Sequence, residues 1–141
     1  MKRHVLVAFG LTLYMMCAGA APISARCEDI GADSTCAMHG VSLIELIANP
    51  HLYDGKRVRV LGYLNLEFEG NALYLHKEDY EHSLSKNSLW VEVDKEQRKI
   101  MRDCKSKSYV LLEGTFNAAN RGHFGLWSGA IESLSRCSPW R

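Results

Sequence analysis

Apolar and polar positions alternate with period two over residues 57–68. Val58, Val60, Gly62, Leu64, Leu66 and Phe68 share one face, and Arg57, Arg59, Leu61, Tyr63, Asn65 and Glu67 share the other. Such alternation over twelve residues predicts a long β-strand. The glycine in its middle predicts a bulge or bend, as a strand coiling around a barrel requires. Glu69, Gly70 and Asn71 then read as a tight turn. A second strand is predicted over 72–76, with Leu73 and Leu75 opposite Tyr74 and His76. Residues 77–87 are polar and read as a longer loop. A third strand is predicted over 88–93, with Leu89, Val91 and Val93 opposite Trp90 and Glu92. The fourth, over 109–116, again carries a glycine, Gly114, and the fifth, over 123–134, is interrupted by Gly125 and Gly129.

Two segments have helical spacing instead. Residues 41–50 predict a short N-terminal helix, with Ser42 and Glu45 at capping-box spacing and Pro50 as its stop. Asp94 is placed to cap a second helix over 95–104, with Gln97 at the reciprocal position. The chain order is therefore three strands, a helix, then two strands. That is the order of an OB-fold, a five-stranded Greek-key barrel. The expected class is mainly β: an OB-fold-like barrel with a helix between strands three and four and a short helix before strand one.

The first residues do not fit that barrel. Lys2 and Arg3 precede about 14 uncharged residues over 5–18, followed by small residues up to Ala25. That is the pattern of a secretory signal peptide, and the apolar run is shorter than the roughly 20 residues of a membrane span. Cleavage after Ala20, Ala21 or Ala25 fits; Ala25 is preferred because the polar chain begins at Arg26. The organisation read is a signal peptide over 1–25, an extended segment over 26–40 and the barrel domain over 41–141. The expected location is periplasmic or secreted, with no membrane span after cleavage.

Removing the leader changes the charge and cysteine counts. The chain has 141 residues, with 17 Lys and Arg against 16 Asp and Glu, and five cysteines. Without Lys2 and Arg3 the balance is 15 to 16, a net of −1; Cys17 leaves as well, so five cysteines become four. Those four, Cys27, Cys36, Cys104 and Cys137, read as two disulfides in an exported protein. Three pairings are possible, of which Cys27–Cys36 with Cys104–Cys137 is preferred. No Cys-x-x-Cys pair supports a zinc or redox site.

The run Asn49-Pro50, Tyr53-Asp54-Gly55-Lys56, then Val58, Val60 and Gly62 resembles the opening of OB-fold-like domains in exported bacterial proteins. The stretches 68–74 and 122–129 extend that similarity over about residues 41–134. The resemblance implies a fold and a compartment, and it carries over no catalytic residue.

OB-folds bind ligands on the face of strands two and three, bordered by the loops after strands one and four. That face would present Tyr74, His76, Trp90 and Glu92, with Glu67, Glu69 and Asn71 from the earlier loop and Asn117, Asn120 and Arg121 from the later one. Aromatic side chains there can stack on sugars or bases. The competing reading packs Tyr74 and Trp90 beneath the N-terminal helix or the 77–87 loop. Glu67, Glu69 and Glu92 near the groove would repel a phosphate backbone, so a nucleic-acid partner is not expected. The basic run of Lys95, Arg98, Lys99, Arg102, Lys105 and Lys107 reads as a solvated helix face.

His76, Asp79 and His82 lie close enough in the chain to suggest a divalent-metal site. A hydrophilic loop that happens to hold two histidines is the preferred account, and no cofactor is expected. The sequence contains no nucleophile elbow, phosphate loop or dinucleotide fingerprint, so no enzymatic activity is read from it. The glycines of 122–129 would let a ligand approach closely or let the last strand bend; the bend is the preferred account. The expected function is a small exported binding module for a saccharide, a peptide or an envelope protein. The alternatives are a metal-binding protein or metal-dependent enzyme using the 76–82 loop, and a structural subunit of an envelope complex.

Overall fold

In the structure, a computed structural model, residues 37–141 are described. His39–Gly40 (β1) pairs in parallel with the first long strand, so the end of the expected leader segment is part of the sheet. Leu43–Ala48 (α1) follows, and Ser42 caps it by accepting from the Glu45 N–H at 3.1 Å. Glu45 does not close a reciprocal box; its carboxylate accepts from the Tyr53 hydroxyl instead. Pro50 does not simply end the helical segment. It opens a second short helix, Pro50–Tyr53 (α2), because proline at a first helical position loses no hydrogen bond.

Five strands then close a barrel: Arg57–Asn65 (β2), Ala72–Tyr74 (β3), Ser88–Val91 (β4), Ser108–Asn117 (β5) and Ala130–Pro139 (β6). The ring runs β2–β3–β4–β6–β5 and returns to β2. The closing pair is antiparallel, from Arg57 opposite Thr115 to Leu64 opposite Ser108, while β4 and β6 are parallel, with Trp90 opposite Ala130. This Greek-key ring is OB-fold-like, as the order of elements predicts.

The alternation of β2 places Val58, Val60 and Leu64 in the interior, all almost fully buried. Gly62 is on the same face, and a Cβ there would stand 2.7 Å from Leu73 Cγ and from the Tyr74 carbonyl oxygen. The glycine is thus required by close approach of β3. Leu43 and Leu46 of α1 belong to the same interior cluster, and Met101, Cys104, Leu134 and Cys137 extend it. Cys104 and Cys137 are joined by a disulfide; Cys27 and Cys36 lie outside the described residues.

Further elements differ from expectation, beginning with the first long strand, β2, which ends at Asn65 and leaves Phe68 exposed in the following loop. The helix expected over 95–104 is a 3-10 helix, Gln97–Asp103, started by Asp94 accepting from Glu96 N and Gln97 N at 2.8 Å each. Its buried residues are Met101 and the adjoining Cys104, three apart, which matches the three-residue turn of a 3-10 helix. The 77–87 loop contains Lys77–Glu81 (α3) and a 3-10 turn, Ser85–Asn87. The last strand starts at Ala130, because Gly122, Phe124 and Gly125 all have φ between 56 and 68°, which an extended strand does not accommodate. It also runs five residues past its expected end. Its inward residues Ile131, Leu134 and Cys137 are three apart, since Ser133 at φ 46° and a register shift opposite Glu113 and Thr115 insert extra residues.

Candidate binding site

The outer face of β2, β3 and β4 carries Tyr63, Tyr74 and Trp90, because alternation turns these side chains away from the interior. Tyr63 is opposite Tyr74 and Ala72 is opposite Trp90. The chain fills this face itself. Tyr80 of α3 packs on Tyr63 and Tyr74, with centroids 5.9 and 5.6 Å away. Trp127, from the segment between β5 and β6, packs on Trp90 at 4.8 Å. Tyr74 and Trp127 are consequently 6% and 4% exposed. Burial raises the Tyr74 phenol above its ordinary value, and the Glu67 charge raises it further, against an opposing contribution from the nearby Trp127 indole. That indole N–H is buried without a hydrogen-bond partner of good geometry.

Of the other residues expected to contact a ligand, Trp90 shares that face, while Asn120 and Arg121 are in the segment between β5 and β6. Trp90 is half-buried, and its indole N–H donates to Glu92 at 2.8 Å. His76 is exposed at the start of α3. Asn120 is part of the turn: its Nδ2 donates to Glu132 at 2.8 Å and its Oδ1 accepts from Gly122 N at 2.9 Å. Arg121 is exposed, and its carbonyl accepts from Trp127 N at 3.2 Å.

The 76–82 segment is organised around Asp79 as a cap. Asp79 Oδ2 accepts from His76 N at 2.9 Å, and Oδ1 accepts from Asn87 Nδ2 at 2.7 Å. Both oxygens of that carboxylate are thus engaged within the loop, while the His76 and His82 side chains are exposed. Among the described residues, no three His, Cys, Asp or Glu side chains are grouped so as to hold a metal ion.

What the chain leaves open is the pair of loops bordering the filled face. In the 66–71 loop, Phe68 is 91% exposed. In the 118–129 segment, Phe124 is 85% exposed and held at φ 56°. The loops meet where His123 Nδ1 stands 3.2 Å from Glu69 Oε2, and the His123 ring stacks on Phe124 at 4.0 Å. The later loop is anchored below by Lys86, whose Nζ donates to the Gly125 carbonyl at 3.2 Å and whose carbonyl accepts from Ser128 Oγ at 2.7 Å. A cavity of about 520 Å³ opens against the first loop. Leu66, Val93 and Met101 supply its apolar lining, and Glu67, Glu69 and Arg98 its charges.

Phe68, His123, Phe124, Arg98 and Met101 were not among the residues singled out from the sequence as a contact set. A signal existed for Phe124, a large apolar residue between His123 and Gly125 in a glycine-dense run. Nothing in the sequence brings Arg98 to the 66–71 loop, since that contact depends on how the barrel closes.

The chain matches no family model, and neither the curated proteins nor the solved structures provide a match. No helix among the described residues is long and apolar enough to cross a membrane.

Proposed function

We propose that this protein is an exported binding module, periplasmic or secreted, that takes a peptide segment at the mouth formed by its 66–71 and 118–129 loops. The observation that carries the reading is the pair of exposed phenylalanines, Phe68 and Phe124, one on each loop bordering the OB-fold ligand face. Covering one such side chain is worth about 1.5–3 kcal/mol, so two on adjoining loops make a binding surface rather than scattered apolar exposure. Phe124 also holds a left-handed backbone conformation, which costs a non-glycine residue roughly 1–2 kcal/mol. Such strain is characteristic of ligand clamps. Export rests on the basic, apolar and small-residue order of the first 25 residues and is consistent with a disulfide between Cys104 and Cys137.

Display of a random peptide library against the protein tests the binding reading. Peptides enriched on the wild type should be lost from a Phe68→Ala, Phe124→Ala double variant whose thermal unfolding is unchanged. Equal enrichment on both would refute the assigned mouth. Fractionation with N-terminal sequencing tests export: a mature chain beginning near Arg26 outside the cytoplasm is expected, and a cytoplasmic chain retaining Met1 contradicts it.

A further inference from the structure

The cavity beside the 66–71 loop carries charges of both signs. Among the described residues, the Glu67 carboxylate has no ion-pair or side-chain hydrogen-bond partner, and neither does the Arg98 guanidinium. Yet both line the same space and do not pair with each other. Glu69 differs, because His123 stands against it. The same lining includes the aliphatic Leu66, Val93 and Met101, together with Phe68 and the polar Asn71.

Resting on the binding reading above, we infer that this cavity selects an amphoteric peptide segment: a cationic side chain beside Glu67 and Phe68, an apolar side chain on the aliphatic floor, and a carboxylate on Arg98. A carboxylate and an aromatic ring both attract a cation, the ring through its negative face. A guanidinium is the side chain best shaped for a carboxylate, since its planar fork matches two oxygens. A uniformly cationic peptide would bring like charge against Arg98, and a uniformly acidic one would bring it against Glu67 and Glu69. An uncharged sugar could hydrogen-bond to Glu67, Glu69, Asn71 and Arg98 but would bring no charge of its own to either Glu67 or Arg98.

The test is amide chemical-shift titration of the ¹⁵N-labelled protein, purified after expression with its own leader. The probes are the capped tripeptide acetyl-Lys-Leu-Asp-amide, its Gln-Leu-Asp and Lys-Leu-Asn counterparts, and N,N′-diacetylchitobiose. The shifts should centre on residues 66–71 and Arg98. Each neutralised tripeptide should bind about tenfold more weakly than Lys-Leu-Asp, the loss expected of one charge-assisted contact. Glu67→Gln should abolish the preference for Lys over Gln and leave the preference for Asp over Asn. Arg98→Glu should transfer the preference to acetyl-Lys-Leu-Lys-amide, which a merely structural role for Arg98 would not produce. If the three tripeptides bind within twofold of one another, or if the sugar binds best at the same amides, the amphoteric assignment is overturned while the mouth stands. If no probe shifts either loop, the mouth falls as well.

Discussion

The bond between Cys104 and Cys137 joins the end of the 3-10 helix to the last part of β6 across a separation of 33 residues. In the chain-entropy account, closing a loop of that length removes enough freedom from the unfolded chain to stabilise the fold by about 4 kcal/mol. Both residues are within the buried cluster at 6% and 9% exposure, so serine would add unpaired hydroxyls and confuse the measurement. The perturbation should therefore be Cys104→Ala with Cys137→Ala. Urea unfolding followed by tryptophan fluorescence is the assay, with Trp90 and Trp127 packed together as the reporter. With a denaturant slope of about 1.5 kcal/mol/M for a domain of this size, the midpoint should fall by roughly 2–3 M. Wild-type protein refolded in reductant should coincide with the double variant. A double variant within about 1 kcal/mol of the wild type would refute the reasoning. The β5–β6 ladder would then already hold these segments together, and the cross-link would remove little freedom.

Three further outcomes follow from the packing. Gly62→Ala should destabilise by about 3 kcal/mol, the upper end for overpacking, because the new methyl meets the Tyr74 carbonyl at 2.7 Å and backbone yields less than a side chain; calorimetry showing less than 1 kcal/mol would contradict the close approach of β2 and β3. Asp79→Ala removes the acceptor for His76 N and Asn87 Nδ2 and should cost about 1–2 kcal/mol, with hydrogen exchange accelerated in α3 and the following turn; unchanged exchange there would show that Asp79 is not the organiser of the segment. The Tyr74 phenol is raised, chiefly by burial. Its contribution to stability is therefore fully present below the ordinary tyrosine range near pH 10 and is lost as pH rises through the folded-state value; Tyr74→Phe should flatten the alkaline fall in stability measured by urea titration between pH 9 and 11, and an identical slope in both proteins would be evidence against it.

The parts legible in the sequence are those where side-chain periodicity follows backbone geometry without interruption. Residues 57–65 alternate cleanly, and β2 occupies them. Gly62, read as a bulge or bend, instead stays in unbroken register with β5 and marks the close approach of β3. The closing strand was misplaced for the opposite reason. Its inward residues follow a spacing of three, produced by a register shift opposite β5, and a period-two search passes over them. Helix α3 was missed because its cap is His76 with a reciprocal Asp79, rather than one of the short polar residues that usually mark a helix start. The covering of the strand face is a tertiary feature that the sequence does not display. Tyr74 and Trp90 do stand on that face, but Tyr80 and Trp127 arrive from segments 6 and 37 positions further along the chain and cover it.

Covering the strand face and exposing the loop are consequences of the same residues. Gly122 fits between the two indoles so tightly that a Cβ would stand 2.7 Å from both Trp127 and Trp90. That close fit seats the segment on the sheet, with Trp127 turned inward. The chain between these contacts has only four residues, 123–126, in which to leave the sheet and return. It does so through left-handed conformations at Phe124 and Gly125, which turn Phe124 to solvent and bring His123 to Glu69. The packing that removes Tyr74 from reach is thus the packing that presents Phe124. For this reason the proposed ligand surface lies along the rim of the barrel, on loops held in place by the aromatic cluster, rather than on the strands beneath it.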